Sequence, residues 1–132
     1  MNFSLQIVTP DGSLFDGEAN KIIVRTTEGD VCILARHINY VVPLDIGVAR
    51  VFTESGERKA ACAGGMLSVM DGCVRVVAST FEWSDDIDIE RAHRAQKKAQ
   101  DRISEHKSDY EMRLAEIKLK KSLARINAYE SR

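Results

Sequence analysis

The chain is short of several things that would commit it to a trade. It carries no charge excess: 19 Lys and Arg stand against 20 Asp and Glu over 132 residues, a net charge of -1. That balance argues against general binding to nucleic acid or anionic lipid, which draws on a marked positive excess. No uninterrupted apolar run approaches the ~20 residues of a membrane-spanning helix. The opening Met1-Asn2-Phe3-Ser4-Leu5-Gln6 lacks a basic start and apolar block, so it reads as the beginning of a fold rather than a signal peptide. Membrane association is therefore expected only through a partner.

Chemistry-bearing residues are sparse too. There are three cysteines, Cys32, Cys62 and Cys73, each in an apolar run. An odd, widely spaced set is neither a disulfide framework nor a zinc pattern, and the three read as small buried hydrophobes in a reducing compartment. His37, His93 and His106 have no metal-ligand spacing to one another or to cysteine. No glycine-rich loop leads from a strand into a helix. Gly64-Gly65 precedes a strand and marks a bulge or a close backbone approach. Nothing assembles a nucleophile, a base and a pocket, and the chain reads as a non-enzyme.

What is present divides near residue 84. Before it the pattern has a period of two: Phe3, Leu5 and Ile7 alternate with Ser4 and Gln6. Short β-branched runs follow at Lys21 to Arg25, Val31 to Leu34, Tyr40 to Leu44, Gly47 to Phe52, Arg58 to Ala63, Met66 to Met70 and Cys73 to Ala78. Turn chemistry separates several of them. Asp71-Gly72 is the strongest hairpin signal, since both positions tolerate positive φ. Many short strands closed by tight turns predict a sandwich or barrel.

After Ser84 there is no glycine and no proline. Helix formers take over. Ala92, Ala95, Ala99 and Ile103 fall on one helical face. Ser108-Asp109-Tyr110-Glu111 reads as a capping box that opens a second helix. Two apolar stripes run along that helix: Met112, Ala115, Leu119, Leu123 and Ile126, and Tyr110, Leu114, Ile117 and Ala128. One is expected to face the first helix and the other the strands or another protein. The predicted fold is α+β, a β-sandwich over 1–84 followed by an antiparallel two-helix hairpin over 85–132. An alanine-lined hairpin buries little area and should be held weakly. Charge follows the same division: residues 1–84 carry 7 basic and 10 acidic side chains, and residues 85–132 carry 12 and 10.

Several segments together resemble one family. They are Val8-Thr9-Pro10-Asp11-Gly12, Thr26-Thr27-Glu28-Gly29-Asp30 with Ile33-Leu34, Gly64-Gly65-Met66-Leu67-Ser68-Val69, Val76-Val77-Ala78 and Ile87-Asp88-Ile89-Glu90-Arg91-Ala92. In this order and spacing the chain resembles the epsilon subunits of bacterial and organellar rotary ATP synthases. The resemblance implies a non-catalytic rotor part at the cytoplasmic face of the bacterial cell membrane, peripheral to it. Its sandwich would contact the gamma subunit and the membrane rotor ring of c subunits. Its tail would fold down, or extend towards the alpha and beta subunits and restrain ATP hydrolysis while proton flow drives synthesis. No cofactor is required.

In some bacterial members an Ile-Asp-x-x-Arg-Ala motif helps bind ATP as a regulatory ligand. Carried over by position, the set here is Glu82, Ile87, Asp88, Arg91, Ala92, Lys98, Lys121 and Arg125. Arginine can fork onto phosphate oxygens, whereas Lys98 and Lys121 stand where such binders tend to carry arginine and offer point charges instead. The same Asp88 and Arg91 also suit a helix cap and an i, i+3 pair. The family's loop after the Ile-Leu strand usually reads Gly-His-x-Pro. Ala35-Arg36-His37-Ile38-Asn39 keeps only the histidine, and Arg36 and His37 are the expected rotor-ring contacts. A stand-alone nucleotide sensor, with a sandwich whose tail closes on its ligand, is the alternative reading.

Overall fold

The computed structural model describes residues 1–132. Eight strands come first: β1 (Phe3–Thr9), β2 (Gly12–Ala19), β3 (Lys21–Thr26), β4 (Gly29–Leu34), β5 (Tyr40–Pro43), β6 (Gly47–Thr53), β7 (Gly56–Met70) and β8 (Cys73–Trp83). A single 3₁₀ turn, Ser84–Asp86, leads into helices α1 (Ile89–Glu105) and α2 (Asp109–Glu130). The strands pair in the order β2-β1-β8-β7-β6-β3-β4, with β5 added on β7. All pairings are antiparallel except β1 with β8.

Two layers arise because β7 and β8 are long enough to serve both. The first half of β7 pairs with β6, and its last residues pair with β5. The change of layer falls at Gly64 and Gly65, with φ of +68° and +113°. A Cβ on Gly65 would lie 1.9 Å from the Val77 carbonyl oxygen, so only glycine fits. The register between β7 and β8 runs through this point unbroken, from Ala63 opposite Thr80 to Gly65 opposite Ala78. Of the two readings of this dipeptide, close approach is the one realised.

The period-two pattern does what it predicts. Phe3, Leu5 and Ile7 are buried with Leu67, Val69, Val74 and Val76, and with Ile22, Val24, Ile33 and Val51 from the facing layer. The core cluster has 20 residues, and none lies beyond Trp83. At the β7–β8 hairpin both Asp71 and Gly72 take positive φ, as their chemistry allows.

Three expectations need correction. Strand β2 was not foreseen: it is an edge strand whose residues are mostly exposed, including Leu14, so its alternation is faint. The runs Arg58 to Ala63 and Met66 to Met70 are one strand bent at its glycines, and β8 continues past Ala78 to Trp83. Of the cysteines only Cys62 is buried; Cys32 and Cys73 sit at outward positions of β4 and β8 and are exposed. An apolar run in a sandwich strand still alternates its faces.

The hairpin forms for local reasons. Asp88 caps α1, its Oδ1 accepting from the Arg91 amide at 3.1 Å. His106 ends α1 in the left-handed conformation, and Ser108 Oγ accepts from the Glu111 amide at 3.1 Å to open α2. Ala92, Ala99 and Ala115 are buried along the hairpin, so the helices approach on small side chains. Only the second half of α2 meets the sandwich: Ala124 and Ala128 pack with Ala61 and Ile87 beside Ile46, Val48 and Tyr129. Tyr110, Leu114 and Ile117 overhang and stay exposed, so of their stripe only Ala128 meets the strands. No helix is long and apolar enough to cross a membrane.

Candidate functional site: a cleft under the folded hairpin

Trp83 ends β8 in the core, which leaves Glu82 facing outward one residue before the chain turns. The 3₁₀ turn then brings Asp86 and the capped start of α1 around to the same side. From the other direction α2 lowers Arg125 onto Glu82, Nε to Oε1 at 3.2 Å. Glu82, Asp86, Asp88, Arg91, Ala92, Ala95 and Arg125 enclose an open cleft of about 350 Å³. Its edges come from β8, α1 and α2, so it exists only while the hairpin lies on the sandwich.

Five of the eight carried-over residues therefore line one cleft: Glu82, Asp88, Arg91, Ala92 and Arg125. Lys98 and Lys121 line an adjoining groove of about 240 Å³, which shares Ala95 and Arg125 with the cleft. Ile87 lines neither; it is buried against Ala61, Ala124 and Ala128 and braces the hairpin. Asp86, Arg102 and Lys118 line these spaces as well, and of the three only Arg102 does not stand out in the sequence: Lys118 belongs to a run of positive charge on the second helix and Asp86 to the acids before the first. Arg102 follows Lys98 by four residues and Lys118 precedes Lys121 by three, so each shares a helix face with one of these lysines.

The cleft's electrostatics are mixed. Glu82 and Arg125 are 41% and 34% exposed, so their ion pair is screened and worth ~0.2–1 kcal/mol. Asp88 caps its helix through the Arg91 amide, but the Arg91 guanidinium makes no ion pair with it or with any other acid. A free guanidinium beside three carboxylates gives a site that can fork onto phosphate and accept from an amine or a ribose hydroxyl. A second contact set fixes the far end of α2: Lys59 Nζ donates to the Ser131 carbonyl at 2.6 Å, and Arg132 Nε approaches Asp85 at 3.8 Å.

Arg36 and His37 lie elsewhere, in the loop between β4 and β5. Without glycine there, Arg36 itself takes φ +65°, a conformation that costs a non-glycine residue about 1 kcal/mol. The His37 amide donates to the Leu34 carbonyl at 3.3 Å, and its Nδ1 donates to the Ile38 carbonyl at 2.7 Å. Tyr40 packs its ring 5.7 Å from that of His37 and donates to Glu28 at 2.8 Å, a bond that raises the Tyr40 pKa. The Asn39 side chain accepts from the Asp71 amide at 2.9 Å and ties this loop to the β7–β8 hairpin. Leu34, Ile38, Val41 and Met70 are exposed on these segments.

Comparison with known proteins places this architecture. The β-sandwich domain of the ATP synthase Delta/Epsilon chain matches residues 2–84, and the long alpha-helix domain of the same chain matches residues 85–130. An ATP synthase epsilon chain of Exiguobacterium is 38% identical over 125 residues, covering 93% of this chain and 92% of that one. That of Bacillus velezensis is 37% identical over 123 residues, covering 93% of each. In fold the chain is similar to one in the mitochondrial ATP synthase of Euglena gracilis (OSCP/F1/c-ring, rotational state 1). The TM-score is 0.83 at 24% identity, over 98% of this chain and 80% of that one. With both domains matched in order and relatives above 30% identity along nearly its whole length, the chain belongs to the ATP synthase epsilon chain family.

Proposed function

We propose that this epsilon chain is a non-catalytic rotor component of the central stalk, coupling proton flow to ATP synthesis, and that its hairpin is a nucleotide-gated latch. The sandwich is the constant part. Its apolar tip, Leu34, Ile38, Val41 and Met70 with Arg36 and His37, suits the c-subunit rotor ring, and its flank suits the gamma subunit. The chain would sit at the cytoplasmic face of the bacterial membrane as a peripheral part of the complex. The hairpin is the variable part. Folded down, it completes the cleft around Arg91; extended, it reaches the alpha and beta subunits and restrains ATP hydrolysis.

The observation that carries the latch is the composition of the cleft. Glu82 belongs to the sandwich, Arg91 to α1 and Arg125 to α2, and a ligand touching all three favours the folded-down arrangement. By linkage ATP then stabilises that arrangement in proportion to its differential affinity for it. The test is a calorimetric titration of the chain with ATP, with and without Mg²⁺, beside Arg91→Ala. The expected result is saturable binding that the substitution abolishes. No heat up to millimolar ATP would leave the Ile-Asp-x-x-Arg-Ala segment a helix cap and brace, and the latch reading would fall.

A further inference from the structure

The groove beside the cleft is lined by cations and alanine alone. Lys98 and Arg102 stand on one face of α1; Lys118, Lys121 and Arg125 stand on the facing side of α2; Ala95 and Ala99 form the floor. No carboxylate lines it, in a chain whose acids outnumber its Lys and Arg. Lys98, Arg102, Lys118 and Lys121 make no ion pair, and Arg125 makes one only towards the cleft. Like charges gathered this way repel one another and focus a positive potential between two low-dielectric helix walls. The alanine floor leaves room for a ligand where longer side chains would have filled the space.

We propose that Arg102 and Lys118 form a distal phosphate subsite, so that the site reads how many phosphates its ligand carries. The inference rests on the nucleotide reading of the cleft. The cations are ranked by position along two antiparallel helices. Arg91 and Arg125 come first, beside the carboxylates. Lys98 and Lys121 come next, and Arg102 and Lys118 last. From Arg125 to Lys118 is seven residues, about 10 Å along the helix. A nucleoside seated by Glu82 and Asp88 lays its phosphates along this ladder, and each added phosphate meets the next rank. The guanidinium of Arg102 can fork onto a terminal phosphate, and Lys118 adds a point charge. A phosphate chain, rather than an acidic peptide, is the fitting anion because the groove is small, about 240 Å³, and continuous with the cleft through Ala95 and Arg125.

The experiment titrates AMP, ADP, ATP and inorganic tripolyphosphate into the wild-type chain, the double variant Arg102→Ala/Lys118→Ala, and Arg91→Ala. Residues 102 and 118 are both exposed, and circular dichroism checks that the helices persist. The wild type should rank ATP above ADP above AMP. The double variant should weaken ATP by about a hundredfold and AMP by less than about twofold, since each of the two lost charge-assisted phosphate contacts is worth roughly tenfold. Arg91→Ala should weaken all three nucleotides. If the double variant binds ATP like the wild type while Arg91→Ala does not, the distal subsite is wrong and the nucleotide cleft stands. If tripolyphosphate binds and the double variant loses it, but no nucleotide binds, the subsite stands and the nucleotide reading falls. Binding of none of the four ligands overturns both.

Discussion

Cys62 shows how much one position in a strand decides. It lies in β7 within the core, where burial of the thiolate pushes its pKa up to about 12. Cys32 and Cys73 are on strands as well, with apolar neighbours, yet face outward. At pH 8 an alkylating reagent should therefore add two groups to the native protein by intact mass, and a third only after denaturation. Rapid modification of all three in the native state would refute the assignment of Cys62 to the core. The same residue sets a pH dependence. In the unfolded chain its thiol titrates near 8.5, while in the folded chain it keeps its proton. Above about 8.5 the unfolded state thus binds fewer protons, and stability falls as pH rises through that range.

Among the elements the hairpin is the most delicately placed. Ala128 is fully buried between α2 and the sandwich, beside Ala61, Ile87 and Ala124. The polar contacts that supplement this patch are the solvent-screened Glu82–Arg125 and Asp85–Arg132 ion pairs, worth ~0.2–1 kcal/mol each, and the Lys59–Ser131 hydrogen bond. Ala128→Leu forces three further carbons into a filled space, which costs ~1–3 kcal/mol and falls wholly on the contact between hairpin and sandwich. The expected result is faster tryptic cleavage within 85–132 with the sandwich fragment intact. A cleavage rate equal to wild type would show that the alanine patch does not hold the hairpin.

That patch marks where sequence reading succeeds at this scale and where it stops. The helices were legible, because capping at Asp88 and Ser108 and the loss of glycine and proline are local signals. Most strands were legible for the same reason. Strand β2 was not, since an edge strand need not bury either face. The continuity of β7 was not either, since a glycine pair that ends one strand looks the same as one that bends it. The cleft was half legible. Arg91 and Arg125 are 34 positions apart in the sequence, and only the family resemblance joined them. Lys118 stands out as one of several cations on the second helix, but only the hairpin's antiparallel packing sets Arg102 opposite it.

At the scale of the molecule, the decisive fact is that the two cores do not overlap. The 20-residue cluster is built from the sandwich alone, ending at Trp83, while the hairpin's small cluster takes only Ala61 from it as a fully buried member, with Ile46 and Val48 packed alongside. Removing residues 85–132 uncovers Ala61, Ile46 and Val48 and ends the contacts of Lys59 and Glu82 with α2. It leaves every buried leucine, isoleucine and valine of the sandwich in place. A chain of residues 1–84 should therefore unfold cooperatively on heating. Its midpoint should be no more than about 15 °C lower, the shift expected for the loss of one or two kcal/mol in a domain of this size. The reverse fragment, 85–132, has no such core, and helices of its length joined through alanine are marginal alone in water. It should show weak helicity that melts without a transition. A truncated sandwich with no cooperative melt would mean that the strands need the hairpin, and a tail that the body cannot do without could not be a latch that lifts.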